Sequence, residues 1–167
     1  MIRIGGLAVA LAALAVAAAA PVDLELVLAV DVSDSIDKGE ARLQRDGYRT
    51  AIADPAVLAA IRAGFHGRIA VAYLEWAGPG QQAAVVGWTL IEDAAGARAF
   101  AARLAAAPVG SGRWTSISAA IDFAVPMFNR NRFQGTRRVI DISGDGSNNA
   151  GSSVTAARDR AVAHGIT

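Results

Sequence analysis

Three oxygen-bearing side chains, Asp31, Ser33 and Ser35, alternate along the stretch Asp31-Val32-Ser33-Asp34-Ser35. In an extended segment residues i, i+2 and i+4 point to the same side. One carboxylate and two hydroxyls would then converge, a set of hard oxygen ligands that suits Mg2+. Two other segments carry groups of the same kind. Thr115-Ser116 opens a helical pattern, and Gly144-Asp145-Gly146 follows an apolar run. Taken singly, each residue also has a plainer reading. Asp31 could close a strand, Ser33 and Ser35 could be turn hydroxyls, and Asp145-Gly146 could form an Asx-turn. Thr115 could cap a helix, with Ser116 as a substitute.

The elements that must position these groups are legible from periodicity. Leu24 to Val30 is a near-continuous apolar run with one Glu, as in a strand covered on both faces. Asp37, with Glu40 three residues on, forms a capping-box pattern for a helix running to Ala53. Leu43, Tyr48 and Ile52 are assigned to its core side, and Arg42, Arg45 and Arg49 to its outer side. Asp54-Pro55 starts a second helix, closed by Gly64. Arg68–Trp76 and Gln82–Ile91 read as strands joined by Gly78-Pro79-Gly80, a link too short for a crossover, so they pair antiparallel. Asp93 caps a helix over Ala94–Ala106, and Thr115 opens another that reaches about Phe128. Arg138–Ile142 is the fourth strand, Ser152–His164 the last helix, and Ile166-Thr167 the start of a fifth strand. Helices alternating with apolar strands predict an α/β, doubly wound, mostly parallel sheet with one antiparallel edge strand. Such sheets bind ligands beyond the carboxyl ends of their strands, where strand order reverses.

The three oxygen-rich segments, in this order and on these elements, resemble the metal-ion-dependent adhesion site of von Willebrand factor type A (VWA, integrin I-like) domains. The family pattern is Asp-x-Ser-x-Ser, then a Thr opening a helix, then Asp-Gly after the fourth strand. It is met by Asp31, Ser33 and Ser35, by Thr115 in TSISAAI, and by Asp145 in ISGDG. The surrounding wording is most similar to a bacterial, exported VWA-like family without assigned function. The resemblance implies a Rossmann-like VWA domain over residues 23–167 whose last strand and helix are missing. It also implies direct metal ligation by Ser33, Ser35 and Thr115, with Asp31 and Asp145 bound directly or through water. The implied ion is Mg2+, or another divalent cation such as Mn2+ or Ca2+. The implied partner is a protein that supplies an acidic side chain to an open metal position, without catalysis. Two carboxylates balance one divalent cation, so such a site stays electrophilic toward an incoming carboxylate.

Composition narrows the alternatives. Residues 1–20, with Arg3 followed by an apolar run ending in small residues, read as a cleaved signal peptide. Export to the periplasm or beyond follows, with no stable membrane span after cleavage. Without Arg3 the chain has 15 basic and 15 acidic residues, and no basic excess points to nucleic acid. The chain has no Cys, hence no disulfide framework. His66 and His164 lack a third imidazole for a zinc site. The competing reading is a Mg2+-dependent phosphohydrolase of the haloacid dehalogenase type, suggested by Gly144-Asp145-Gly146-Ser147-Asn148-Asn149. Against it, Ser33 stands where that chemistry needs a second Asp, Asn149 ends the loop in place of Asp, and the single Lys, Lys38, follows the first strand. The remaining expectations are turn chemistry for Asn148-Asn149, a pairing of Asp141 with Arg137 or Arg138, and packing roles for Trp76 and Trp88. Trp114, beside Thr115, is the tryptophan expected at a partner surface.

Overall fold

The computed structural model describes residues 19–167. The signal-peptide reading of residues 1–20 falls almost wholly outside them. Four strands, β1 (Ala20–Asp31), β2 (Ile69–Trp76), β3 (Gln82–Ile91) and β4 (Phe133–Ser143), form one sheet in the order β3-β2-β1-β4. β1 runs parallel to both β2 and β4, and β2 pairs antiparallel with β3. Among the described residues the α-helices are α1 (Lys38–Ala53), α2 (Pro55–Arg62), α3 (Ala94–Ala106), α4 (Ile117–Ala124) and α5 (Val154–Ala163). This is the doubly wound, mostly parallel arrangement expected from the sequence.

β1 lies at the centre of the chemistry because its side chains alternate between two cores. Leu28 and Val30 join Tyr73, Phe100 and Leu104 on the face covered by α1, α2 and α3. Val27 and Ala29 join Leu74, Trp76, Ile121 and Phe128 on the face covered by α4 and α5. Each fully buried Leu, Ile or Val contributes about 1.5–3 kcal/mol relative to exposure. With both faces dry, the strand has no solvent side, which explains its unbroken apolar run. Period two then puts Asp31 on the α4/α5 side. Strand order reverses at β1, since one successor lies on each side of it. The ends of β1 and β4 therefore open together.

Several expectations change. β1 and β4 are longer than their apolar cores, because the ladder they share continues to the pairing of Ala20 with Phe133. The polar wording Gln134-Gly135-Thr136-Arg137-Arg138 hid that extension. There, Gly135 N–H donates to Glu25 Oε1 at 2.6 Å and Asn131 Nδ2 donates to Glu25 Oε2 at 2.7 Å, so a buried carboxylate anchors the strand start. Arg138 lies 3.6 Å from the same Glu25, so the pairing expected with Asp141 goes elsewhere, and Asp141 is exposed.

On α1, Leu43 is 73% exposed and Arg45 is 4% exposed, the reverse of the expectation. The buried stripe is Ala41, Arg45, Tyr48 and Ile52, one face at helical spacing. Arg45 fits there because Glu75 of β2 receives it at 2.7 Å. Its other nitrogens donate to the Ala107 carbonyl at 2.7 Å and the Pro108 carbonyl at 2.8 Å. Beyond α5, Gly165 adopts φ 71°, and Thr167 exchanges two main-chain bonds with β4, to Arg138 at 3.0 Å and from Ile140 at 2.9 Å. That is the pairing expected of a fifth parallel strand.

Candidate metal centre

The turn after β1 is built locally. Ser33 N–H donates to Asp31 Oδ1 at 2.8 Å, an Asx-type bond that folds the chain back over its own carboxylate. Ser33 Oγ lies 3.1 Å from Ser35 Oγ, and Ser35 Oγ donates to Asp145 Oδ1 at 3.0 Å. Residues separated by more than a hundred positions thus form one polar chain, made possible because β1 and β4 are neighbours. Asp31 and Ser33 are buried, whereas Ser35 and Asp145 face solvent. Asp37 caps α1 by accepting from Gly39 N–H and Glu40 N–H, and Glu40 returns the bond to Asp37 N–H. The capping role expected of Asp37 therefore occupies it.

Thr115 does not open α4. Ser116 is the N-cap, accepting from Ala119 N–H at 3.3 Å, and the helix begins at Ile117. Pro126 lacks an N–H, and the helix tightens into a 3-10 turn over Val125–Asn129. Released from capping, Thr115 borders a cleft of ≈ 210 Å³ together with Ser33, Ser35, Arg113, Trp114 and Asn149. A Cβ placed on Gly146 would lie 3.7 Å from Thr115 Oγ1, so the loop after β4 passes directly over that hydroxyl. Asp145 itself borders the neighbouring depression, beside Gln44 and Leu43.

Asn148 and Asn149 do more than turn the chain. Asn149 Oδ1 accepts from Thr115 N–H at 2.8 Å, and Asn149 N–H returns to the Thr115 carbonyl at 2.9 Å. Asn148 Oδ1 accepts from Ser118 N–H at 3.2 Å. The two amides clamp the Thr115 loop to the Asp145 loop. Both side chains accept from main-chain N–H groups, beyond the turn chemistry expected of them.

Asp31 is the anomaly of the site. Its Oδ2 is buried and has no hydrogen-bond partner, an arrangement that costs free energy. Burial pushes its carboxyl above the ordinary value, and the nearby Asp145 charge adds to the shift; the bonds with Ser33 oppose it. A Cβ on Gly144 would come 3.1 Å from this oxygen and 3.2 Å from the Trp76 ring, so a side chain there would crowd both. An unpaired buried carboxylate oxygen, the linked Ser33 and Ser35 hydroxyls and a second, exposed carboxylate, Asp145, form a donor set that fits a hard divalent cation. Among the described residues, no three His, Asp or Glu side chains gather into a cluster able to hold a metal. Any ion here would rely on the hydroxyls.

The fold, a doubly wound, mostly parallel sheet with one antiparallel pair, is VWA-like. The chain belongs to the family described as "Protein of unknown function (DUF1194)", whose model matches residues 21–167. No curated protein matches it. Among solved structures it is similar to BatB from Bacteroides thetaiotaomicron, with 19% identity, TM-score 0.57, and 86% of this chain covering 63% of that one. It is similar to proximal thread matrix protein 1 from the mussel byssus, determined with a zinc-occupied MIDAS motif, at 15% identity and TM-score 0.65. That match covers 90% of this chain and 38% of the mussel chain. An aerotolerance-related membrane protein from Bacteroides fragilis gives 21% identity and TM-score 0.58, with 86% and 64% covered. The chain thus spans less than two thirds of each, and these likenesses carry the fold.

Proposed function

We propose that this chain is a binding module, not an enzyme, that grips a protein partner outside the cytoplasm through a divalent cation. Ser33, Ser35 and Thr115 hold the ion directly, with Asp31 and Asp145 bound directly or through water. Mg2+ is the preferred ion, because it accepts few protein ligands and keeps several waters. The open position takes a carboxylate of the partner. The observation that carries this reading is Asp31 Oδ2, buried and unpartnered, two residues before the linked hydroxyls of Ser33 and Ser35. The zinc-occupied MIDAS motif of the mussel protein supports it as a parallel in a similar fold. Residues 1–20 act as the export signal, and residues 23–167 as the VWA-like domain. Among the described residues no helix is long and apolar enough to cross a membrane.

The phosphohydrolase reading loses its main support once Asn148 and Asn149 are committed to main-chain clamps. Lys38 is exposed on the first turn of α1. Calorimetric titration with Mg2+ and Mn2+ tests the proposal. The expected result is one site per chain, lost in Asp31→Ala and reversed by chelator. Absence of divalent binding overturns it, and Mg2+-dependent hydrolysis of p-nitrophenyl phosphate that disappears in Asp31→Ala would favour the enzyme.

A further inference from the structure

The loop that delivers Thr115 to the cleft carries a residue the fold does not need in its observed form. Trp114 has φ 71°, the one non-glycine residue with positive φ among those described, and it is 57% exposed. A bulky side chain is disfavoured in this region, which Gly enters freely. The main chain is pinned on both sides. Gly112 N–H donates to the Val32 carbonyl at 3.1 Å, Arg113 N–H to Gln81 Oε1 at 2.9 Å, Gly78 N–H to the Arg113 carbonyl at 3.0 Å, and Ser116 N–H to the Ala77 carbonyl at 3.0 Å. A Cβ on Gly78 would lie 2.4 Å from the Arg113 carbonyl oxygen, so the Gly78-Pro79-Gly80 turn is shaped to press against this loop. The molecule therefore holds a strained backbone that ends in an indole turned to solvent, where burial returns little. Strain of this kind gathers at ligand-contacting sites.

Its neighbours indicate what lands there. The cleft of ≈ 210 Å³ is smaller than the roughly 300–1,000 Å³ typical of small-molecule sites, and suits a side chain presented by a polypeptide. Arg113, 77% exposed, has only a loose contact at 3.7 Å with Asp34, itself 64% exposed, and is free to meet an acidic segment. We propose that Trp114 is the specificity platform of the site. In this view the partner is an extended acidic segment whose Asp or Glu enters the cleft while the adjacent apolar or aromatic side chain lies on the indole, with Arg113 at its edge. This rests on the metal-binding reading above and adds the chemistry of the residue next to the carboxylate.

The test uses Mn2+-loaded protein and three probes: acetate, N-acetyl-Asp-Gly-amide and N-acetyl-Asp-Phe-amide. Wild type should bind the Phe peptide several-fold more tightly than the Gly peptide, as aromatic pairing allows. Trp114→Gly should abolish that preference, so that the Phe and Gly peptides bind equally. In chelator, the same variant should melt at or above the wild-type temperature, since Gly relieves the left-handed backbone. Trp114→Leu, which keeps apolar bulk but loses the flat face, should retain only part of the preference. If Mn2+ and acetate bind but the Phe preference is absent, or survives in Trp114→Gly, the platform is overturned and the metal reading stands. If wild type binds neither Mn2+ nor acetate, the metal reading falls and the platform with it.

Discussion

Asp31 sits at the end of a dry strand with one carboxylate oxygen satisfied by Ser33 N–H and the other by nothing. Its carboxyl is held above the ordinary carboxylate range by burial first and by Asp145 second. In the unfolded chain the same group ionises at its ordinary pKa of about 3.9. The destabilising effect of its charge is therefore absent below that value, grows as pH rises through the folded pKa, and is complete above it. Metal-free Asp31→Asn should accordingly match or exceed the wild-type melting temperature at pH 7, with the difference shrinking toward pH 4. Melts in chelator at both pH values decide this, and a variant less stable at pH 7 contradicts it. Added Mg2+ should stabilise wild type and leave the variant unmoved. The types and spacing of Asp31, Ser33 and Ser35 were visible in the sequence. The unpartnered oxygen was not, because its surroundings include Gly144, which follows β4, a segment more than a hundred residues away.

At the scale of elements, α1, α3 and β2 are tied together by the buried Arg45–Glu75 pair, with side chains 5% and 3% exposed. Glu75 Oε2 also accepts from Gly110 N–H at 2.9 Å, and a Cβ on Gly110 would sit 2.7 Å from that oxygen. The pair thereby holds Ala107, Pro108 and Gly110, the segment that leads to Thr115. Removing one member strands the other charge in the core, at a cost of about 3–5 kcal/mol. Arg45→Met and Glu75→Leu should each lose that much in urea unfolding. The double variant should lose clearly less than the sum, because no charge is left uncompensated. Additive losses would show the two residues acting separately. Helical periodicity at positions 41, 45, 48 and 52 held the signal for burial of Arg45, but an arginine on that stripe reads as exposed until Glu75 is known to face it.

Across the whole molecule, the candidate site is where three distant segments meet, and a cation bound there would hold them together. Such a cation binds the folded chain and has no comparable site in the unfolded one. Saturation at a hundred times the dissociation constant should add about 2.7 kcal/mol to unfolding free energy. The melting temperature should therefore rise with Mg2+ concentration and return to its starting value with chelator. A melting curve indifferent to Mg2+, measured at concentrations that saturate a calorimetric titration, contradicts this linkage. The gain should appear in the global transition, since β1, which carries Asp31, is packed on both faces.

Local order was determined by the chain itself. The capping box at Asp37 and Glu40, the cap at Asp93, the tight turn that folds Gln82–Ile91 back on its predecessor and the unbroken apolar run of β1 all arise from residues within a few positions of one another. The order of the oxygen-rich segments belongs to the same category. Only the tertiary structure decided that Ser116 caps α4 in place of Thr115, that Glu25 and Arg45 are buried, that the asparagines clamp two loops, and that Trp114 is held with its indole in water. The physical reason is common to all four. Each is settled by a partner tens of residues away, whose approach changes the balance between solvation and pairing that local sequence alone would set.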